Sequence, residues 1–155
     1  MNIFPALATC LFVLCWLDCV SACAGQTLPV RSLAKGVFSG VKEARQEVIK
    51  EAAQWEKLWK QHGLSANSAQ KIPAVDFSKE MVIVATMGVK RTGGYAIEIA
   101  GAEVSGQSLK ISVKQSSPPP GALTIQALTA PFHFVAAPKS DLKPEFVEAK
   151  AGEKK

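Results

Sequence analysis

Met81-Val82-Ile83-Val84-Ala85-Thr86-Met87 runs without a charge, a proline or a glycine. A strand with one wet face alternates apolar and polar residues, so an unbroken β-branched run predicts a strand covered on both faces. This stretch should be the centre of a sheet. Immediately upstream, Val75 and Phe77 anchor an approach that starts at Ile72-Pro73, and Asp76-Phe77-Ser78-Lys79-Glu80 reads as turn and cap chemistry. Asp76 and Glu80 are not an acid–base pair on this reading, because such pairs sit in a cleft walled by several aromatics.

Further upstream, Val41, Ala44, Val48, Ala52, Trp55, Leu58 and Trp59 recur at three- and four-residue steps, which permits one helix from Val41 to His62. The same residues permit a strand from Arg45 to Lys50 followed by a helix from Ala52 to His62, with Gly63 as its left-handed terminator. In both readings Trp55, Leu58, Trp59 and His62 share a face, and core packing explains Trp55, Leu58 and Trp59 better than ligand stacking does.

Downstream, Tyr95, Ile97 and Ile99 alternate with small or charged residues, as do Leu109, Ile111 and Val113, with Gly106-Gln107 between the two runs. The pattern predicts an antiparallel pair with one wet face, on which Glu98 and Glu103 could meet Lys110 or Lys114. Ser116 to Gly121 contains three successive prolines and must be a loop. Ala122 to Thr129 and Phe132 to Ala137 read as two last strands. The fold class expected is α+β, a mainly antiparallel β-sheet or sandwich with one short Trp-bearing helix.

The 155 residues carry a net charge of +5. All four cysteines lie within the first 23 residues, which excludes a disulfide scaffold or a thiol nucleophile in the body. Ile3 to Leu17 is an apolar run of signal-peptide length, so residues 1–22 are expected to be a leader. Val20-Ser21-Ala22-Cys23 is a lipobox pattern that would acylate Cys23, whereas Ala22-Cys23-Ala24 fits ordinary signal peptidase cleavage. Residues 23–36 are read as a flexible tether becoming a strand near Val37 and Phe38, 37–139 as the β-rich domain and 140–155 as a polar tail.

The dispersed basic residues do not form a nucleic-acid footprint. His62 and His133 neighbour no nucleophile elbow and have no metal-ligand spacing, and His133 is read as a strand residue with its ring at the surface. Neither a cofactor nor a metal site nor a catalytic group is expected. The candidate contact surface is the loop Lys90, Arg91, Thr92, Gly93, Gly94 and Tyr95, with two charges on a glycine-bearing tip.

The segment from Trp55 to Lys139 resembles the C-terminal domain family named after PrcB, an accessory subunit of a surface protease complex. The resemblance rests on Trp55-Glu56-Lys57-Leu58-Trp59, on Val75 through Val84, on the turn Gly88 to Gly94 leading into Tyr95-Ala96-Ile97-Glu98-Ile99, and on Thr129 through Val135. It favours the split reading, strand then short helix. It implies an exported, non-catalytic protein-binding module of the cell envelope, either lipid-anchored and facing the periplasm or exterior or else soluble in the periplasm or secreted, whose partner is a protein, an exported protease being the candidate. Membrane contact would be through the Cys23 lipid alone. An alternative is an inhibitor: Thr92-Gly93-Gly94-Tyr95 is similar to the Thr-Gly-Tyr loop of chagasin-type protease inhibitors, with one extra glycine and no leading Asn-Pro. A structural envelope protein without a protease partner is the third reading.

Overall fold

The computed structural model describes residues 25–63 and 71–149. The expected leader and Cys23 lie outside the described residues. Eight strands and one helix follow in the order β1 (Gln26–Leu28), β2 (Arg31–Gly36), β3 (Ala44–Ile49), α1 (Ala52–Gly63), β4 (Glu80–Met87), β5 (Ala96–Ser105), β6 (Ser108–Ser116), β7 (Phe132–Pro138) and β8 (Lys143–Glu148). They form two four-stranded sheets, β1-β5-β6-β8 and β2-β7-β4-β3. Every pairing is antiparallel except β6 with β8.

The Met81–Met87 run lies in β4, between β7 and β3. Successive side chains of a strand point to opposite faces. Met81, Ile83 and Ala85 enter the core between the sheets, together with Ile97, Ile99, Leu109, Ile111, Val113 and Val135. Val82 and Val84 enter the second core, beneath α1, with Phe132, Phe134, Trp55, Leu58 and Trp59. The molecule therefore has three layers, sheet on sheet on helix, and β4 and β7 are buried on both faces. The α+β class with one short helix holds.

The strand and helix that divide residues 44–63 agree with the split reading. Gly63 is the last helical residue and does not have positive φ, so it is not the left-handed terminator expected of it. The end of the helix is closed from outside instead. Gly40 N–H donates to the His62 carbonyl at 2.9 Å, satisfying one of the acceptors a helix end leaves open. A Cβ at Gly40 would lie 2.0 Å from the Gln61 carbonyl oxygen, so only glycine allows this approach.

Between β5 and β6, Gly106 has φ +61° and Gln107 does not have positive φ, the combination a type II′ hairpin requires. A bulge between Ile99 and Gly101 shifts the inward positions of β5 from Ile99 to Ala102. Glu98 stands opposite Lys114 and Glu103 opposite Lys110. The ion pair that Glu98 forms, however, is with Lys35 of β2, at 2.9 Å.

Three expectations are corrected. The tether 23–36 contains β1 and β2, and the strand expected near Val37 and Phe38 is an exposed connection. Both strands lie at sheet edges, and only Leu28, Leu33 and Ala34 of their residues pack on the cores, so the apolar signal is thin. The polar tail contains β8, another edge strand, whose charged residues face water while Phe146 packs on the inter-sheet core. Ala122–Thr129 is not a strand, and only Thr129 forms a bridge, to Lys90. It carries the chain from the end of β6 in one sheet to the start of β7 in the other, and so does not run along either sheet.

Candidate functional site

Three connections meet at one end of the sandwich. These are residues 37–43 between β2 and β3, 88–95 between β4 and β5, and 117–131 between β6 and β7. Backbone bonds stitch them together: Lys90 and Thr129 exchange N–H donors at 2.7 and 2.9 Å, Gly93 N–H donates to Ile125, Val89 N–H to Lys42, and Ala130 N–H to Val37. The Thr129 hydroxyl adds a bond to the Thr92 carbonyl at 2.9 Å.

The side chains left at this end are apolar. Leu123 is fully exposed, Leu128 is 69%, Ile125 61%, Phe38 51% and Val89 45% exposed. Phe38, Lys42, Val89, Leu128 and Ala130 line a cleft of about 340 Å³. Lys42 lines it, Lys90 and Arg91 follow Val89 in the same connection, and none of the three has an ion-pair partner among the described residues. Lys90 lies over the Tyr95 ring at 5.3 Å, the distance of a cation–π contact. Sequence reasoning singled out Lys90 to Tyr95 as a projecting tip. The structure instead packs its middle: Gly93 is buried beneath Ile125, Gly94 has φ +87° against Pro118, and Tyr95 is half-buried. Of the six residues, Arg91 and Gly94 are the exposed ones.

Trp55, Leu58 and Trp59 are buried between α1 and the sheet, and Phe77 packs half-buried against them. The Trp55 indole N–H donates to the Pro73 carbonyl at 3.3 Å.

Two buried histidines pack close to this end. His62 Nδ1 is 3.0 Å from the Ser39 hydroxyl, which also accepts the Val41 N–H. The His62 ring packs against Phe132 at 4.4 Å between centroids, and against Trp59 and Phe134. No carboxylate orients this ring among the described residues, whereas a nucleophile–base pair needs such a third group. The pair fastens the 37–43 connection to α1.

His133 is the second, and it corrects an expectation. Its ring is not at the surface: the residue is 5% exposed and points into the inter-sheet side of β7. The β5 bulge explains why. Nδ1 accepts the Ile99 N–H at 2.9 Å at the point where β5 leaves register with β6, and Nε2 lies 3.0 Å from the Ser32 hydroxyl. An acceptor Nδ1 requires the neutral ring with its proton on Nε2. One side chain thereby ties the two sheets together and satisfies an amide that the bulge leaves unpaired.

Burial lowers the His62 pKa, and burial followed by the nearby Lys35 charge lowers that of His133, with Glu98 opposing. Above the unfolded value of about 6.5 both states are neutral and stability is complete. Below it the unfolded chain binds protons that the folded one resists, so stability falls with decreasing pH. Each histidine contributes a slope of at most about 1.4 kcal/mol per pH unit. Thermal unfolding between pH 8 and pH 5 should show the decline, and His133→Gln should flatten it; an equal decline in the variant would show that His133 titrates freely.

The comparisons bear on the core of this sandwich. Residues 81–138 match the family model described as PrcB C-terminal. No curated protein and no solved structure matches the chain. The PrcB C-terminal match runs from β4 to the end of β7 and covers somewhat over a third of the chain. The resemblance read from Tyr95 to Ile99 and Thr129 to Val135 lies inside it, and the Trp55–Trp59 helix lies outside. Two of the three connections at the apolar end, 88–95 and 117–131, belong to the PrcB C-terminal segment. Sequence reasoning missed Phe38, Val89, Leu123, Ile125 and Leu128 as site residues. The available signal was an apolar run behind three prolines, read as a strand with a sheet to join.

Proposed function

We propose that this protein is an exported, non-catalytic protein-binding module of the cell envelope, accessory to a protease complex and held to the membrane by a lipid on Cys23. The PrcB C-terminal match over residues 81–138 carries the reading, since that family is named for a protease-complex accessory subunit. The site agrees with it in kind. An apolar end with Lys42, Lys90 and Arg91 in its connections, without ion-pair partners among the described residues, offers surface for association, and large exposed apolar patches mark such contacts. The lipobox pattern ending at Cys23 supports the anchor.

The inhibitor reading draws no support from the geometry. A loop that enters a protease cleft must project freely, but Thr92 and Gly93 are bonded to Thr129 and Ile125. Chemical cross-linking in intact cells, followed by affinity isolation, tests the proposal. The expected result is one exported protease recovered in stoichiometric amount, with the protein in the membrane fraction until Cys23 is replaced by Ala. Recovery of no protease from cross-linked envelopes would overturn it.

A further inference from the structure

We infer that the apolar end binds an extended segment of its partner in which acidic and apolar side chains alternate, seated along Leu123–Leu128. The inference deepens the protein-binding reading and rests on it for the partner being a protein.

The first observation is an open backbone. The N–H groups of Leu123, Thr124, Ile125, Gln126, Ala127 and Leu128 donate to no acceptor among the described residues, whereas the flanking Ala122 and Thr129 N–H groups do donate. The side chains beside these free amides are Leu123, Ile125 and Leu128, the most exposed large apolar groups described. Free amides beside apolar side chains offer what an added strand uses, main-chain bonds for affinity and side-chain contacts for selectivity.

The second observation is charge. Lys42, Lys90 and Arg91 border this segment without ion-pair partners among the described residues, and the sequence has no Asp or Glu between Glu103 and Asp141. The acidic residue of the three connections, Glu43, is already engaged by Arg45 at 3.0 Å, so a basic segment would meet mainly like charge there, while an acidic one would find several partners.

The third is placement, and it separates a protein from a membrane. Gln26 pairs with Val104, beside the Gly106 hairpin, and β1 and β2 both run toward the apolar end, where Gly36 pairs with Phe132. The chain before Gly25 therefore leaves from the opposite end, about ten strand residues or roughly 30 Å away. On the proposed reading that Cys23 carries a lipid, a bilayer would be met from the hairpin end, where the described chain begins, and not from the apolar end.

The test uses the protein from residue 23 onward, a fluorescein-labelled peptide alternating valine with glutamate, a counterpart with lysine in place of glutamate, and phosphatidylglycerol vesicles. Fluorescence anisotropy should show the acidic peptide binding at least about tenfold more tightly than the basic one, a difference of about 1.4 kcal/mol. Leu123→Asp and Leu128→Asp should abolish that binding, and Arg91→Glu should weaken it about tenfold, while Lys57→Glu on α1 leaves it unchanged. Unfolding curves matching the parent protein confirm that these surface variants fold. Equal binding of both peptides, indifference to the leucine variants, or capture by vesicles lost in the same variants would each overturn the inference. If the peptides fail while cross-linking still recovers a protease, the inference alone falls; if both fail, the protein-binding reading falls with it.

Discussion

Replacing Phe134 with Ala should cost roughly 3–5 kcal/mol and lower the melting temperature by on the order of 10–20 °C. Phe134 is fully buried on the helix side of β7, where its ring meets Trp55 at 5.7 Å, His62 at 5.3 Å and Phe132 at 4.9 Å. Truncation removes the group at the centre of that aromatic cluster. Neither rigid sheet nor helix can collapse into the space, so the cavity cost adds to the lost transfer free energy. Urea unfolding followed by tryptophan fluorescence reads the effect directly, since Trp55 and Trp59 report from the same cluster. A loss below about 1 kcal/mol would mean that α1 does not pack on the sheet as described.

Ending the chain after Ser140 should cost on the order of 3 kcal/mol and promote self-association. The cut removes β8, which covers β6 from Ser108 to Val113, and with it the packing of Leu142 and Phe146 on the inter-sheet core. The uncovered β6 would become an edge with alternating apolar residues, a template for pairing with another chain. Denaturant unfolding and size-exclusion chromatography check both effects. A truncated protein as stable and monomeric as its parent would show that β8 is dispensable, as a solvated tail would be.

The two outcomes mark where the sequence was legible. β4 announced itself because burial on both faces leaves Thr86 as the one polar residue from Met81 to Met87, and β5 and β6 because one wet face imposes alternation. β8 was hidden by the reverse logic. An edge strand keeps its lysines and glutamates in water, and Lys143-Pro144-Glu145-Phe146-Val147-Glu148 has the composition of a tail. β1 and β2 were hidden in the same way. His133 was misplaced because its environment depends on a bulge in another strand that no local pattern encodes. At the candidate site, Lys90 to Tyr95 stood out through glycine and charge. The apolar side chains beside it were assigned to a sheet, since nothing local distinguishes an apolar segment that crosses the end of a sandwich from one that lies within it.

The direction of β1 and β2 bears on how the molecule would carry a load. Tension applied between the residues preceding Gly25 and the opposite loops would act along the strand axes. The ladder bonds of β1 with β5 and of β2 with β7 lie across those axes. Such bonds are stressed together in shear, whereas those of an unzipping hairpin break in succession. The sandwich is thus oriented to resist a pull applied between the start of β1 and the loops at its far end.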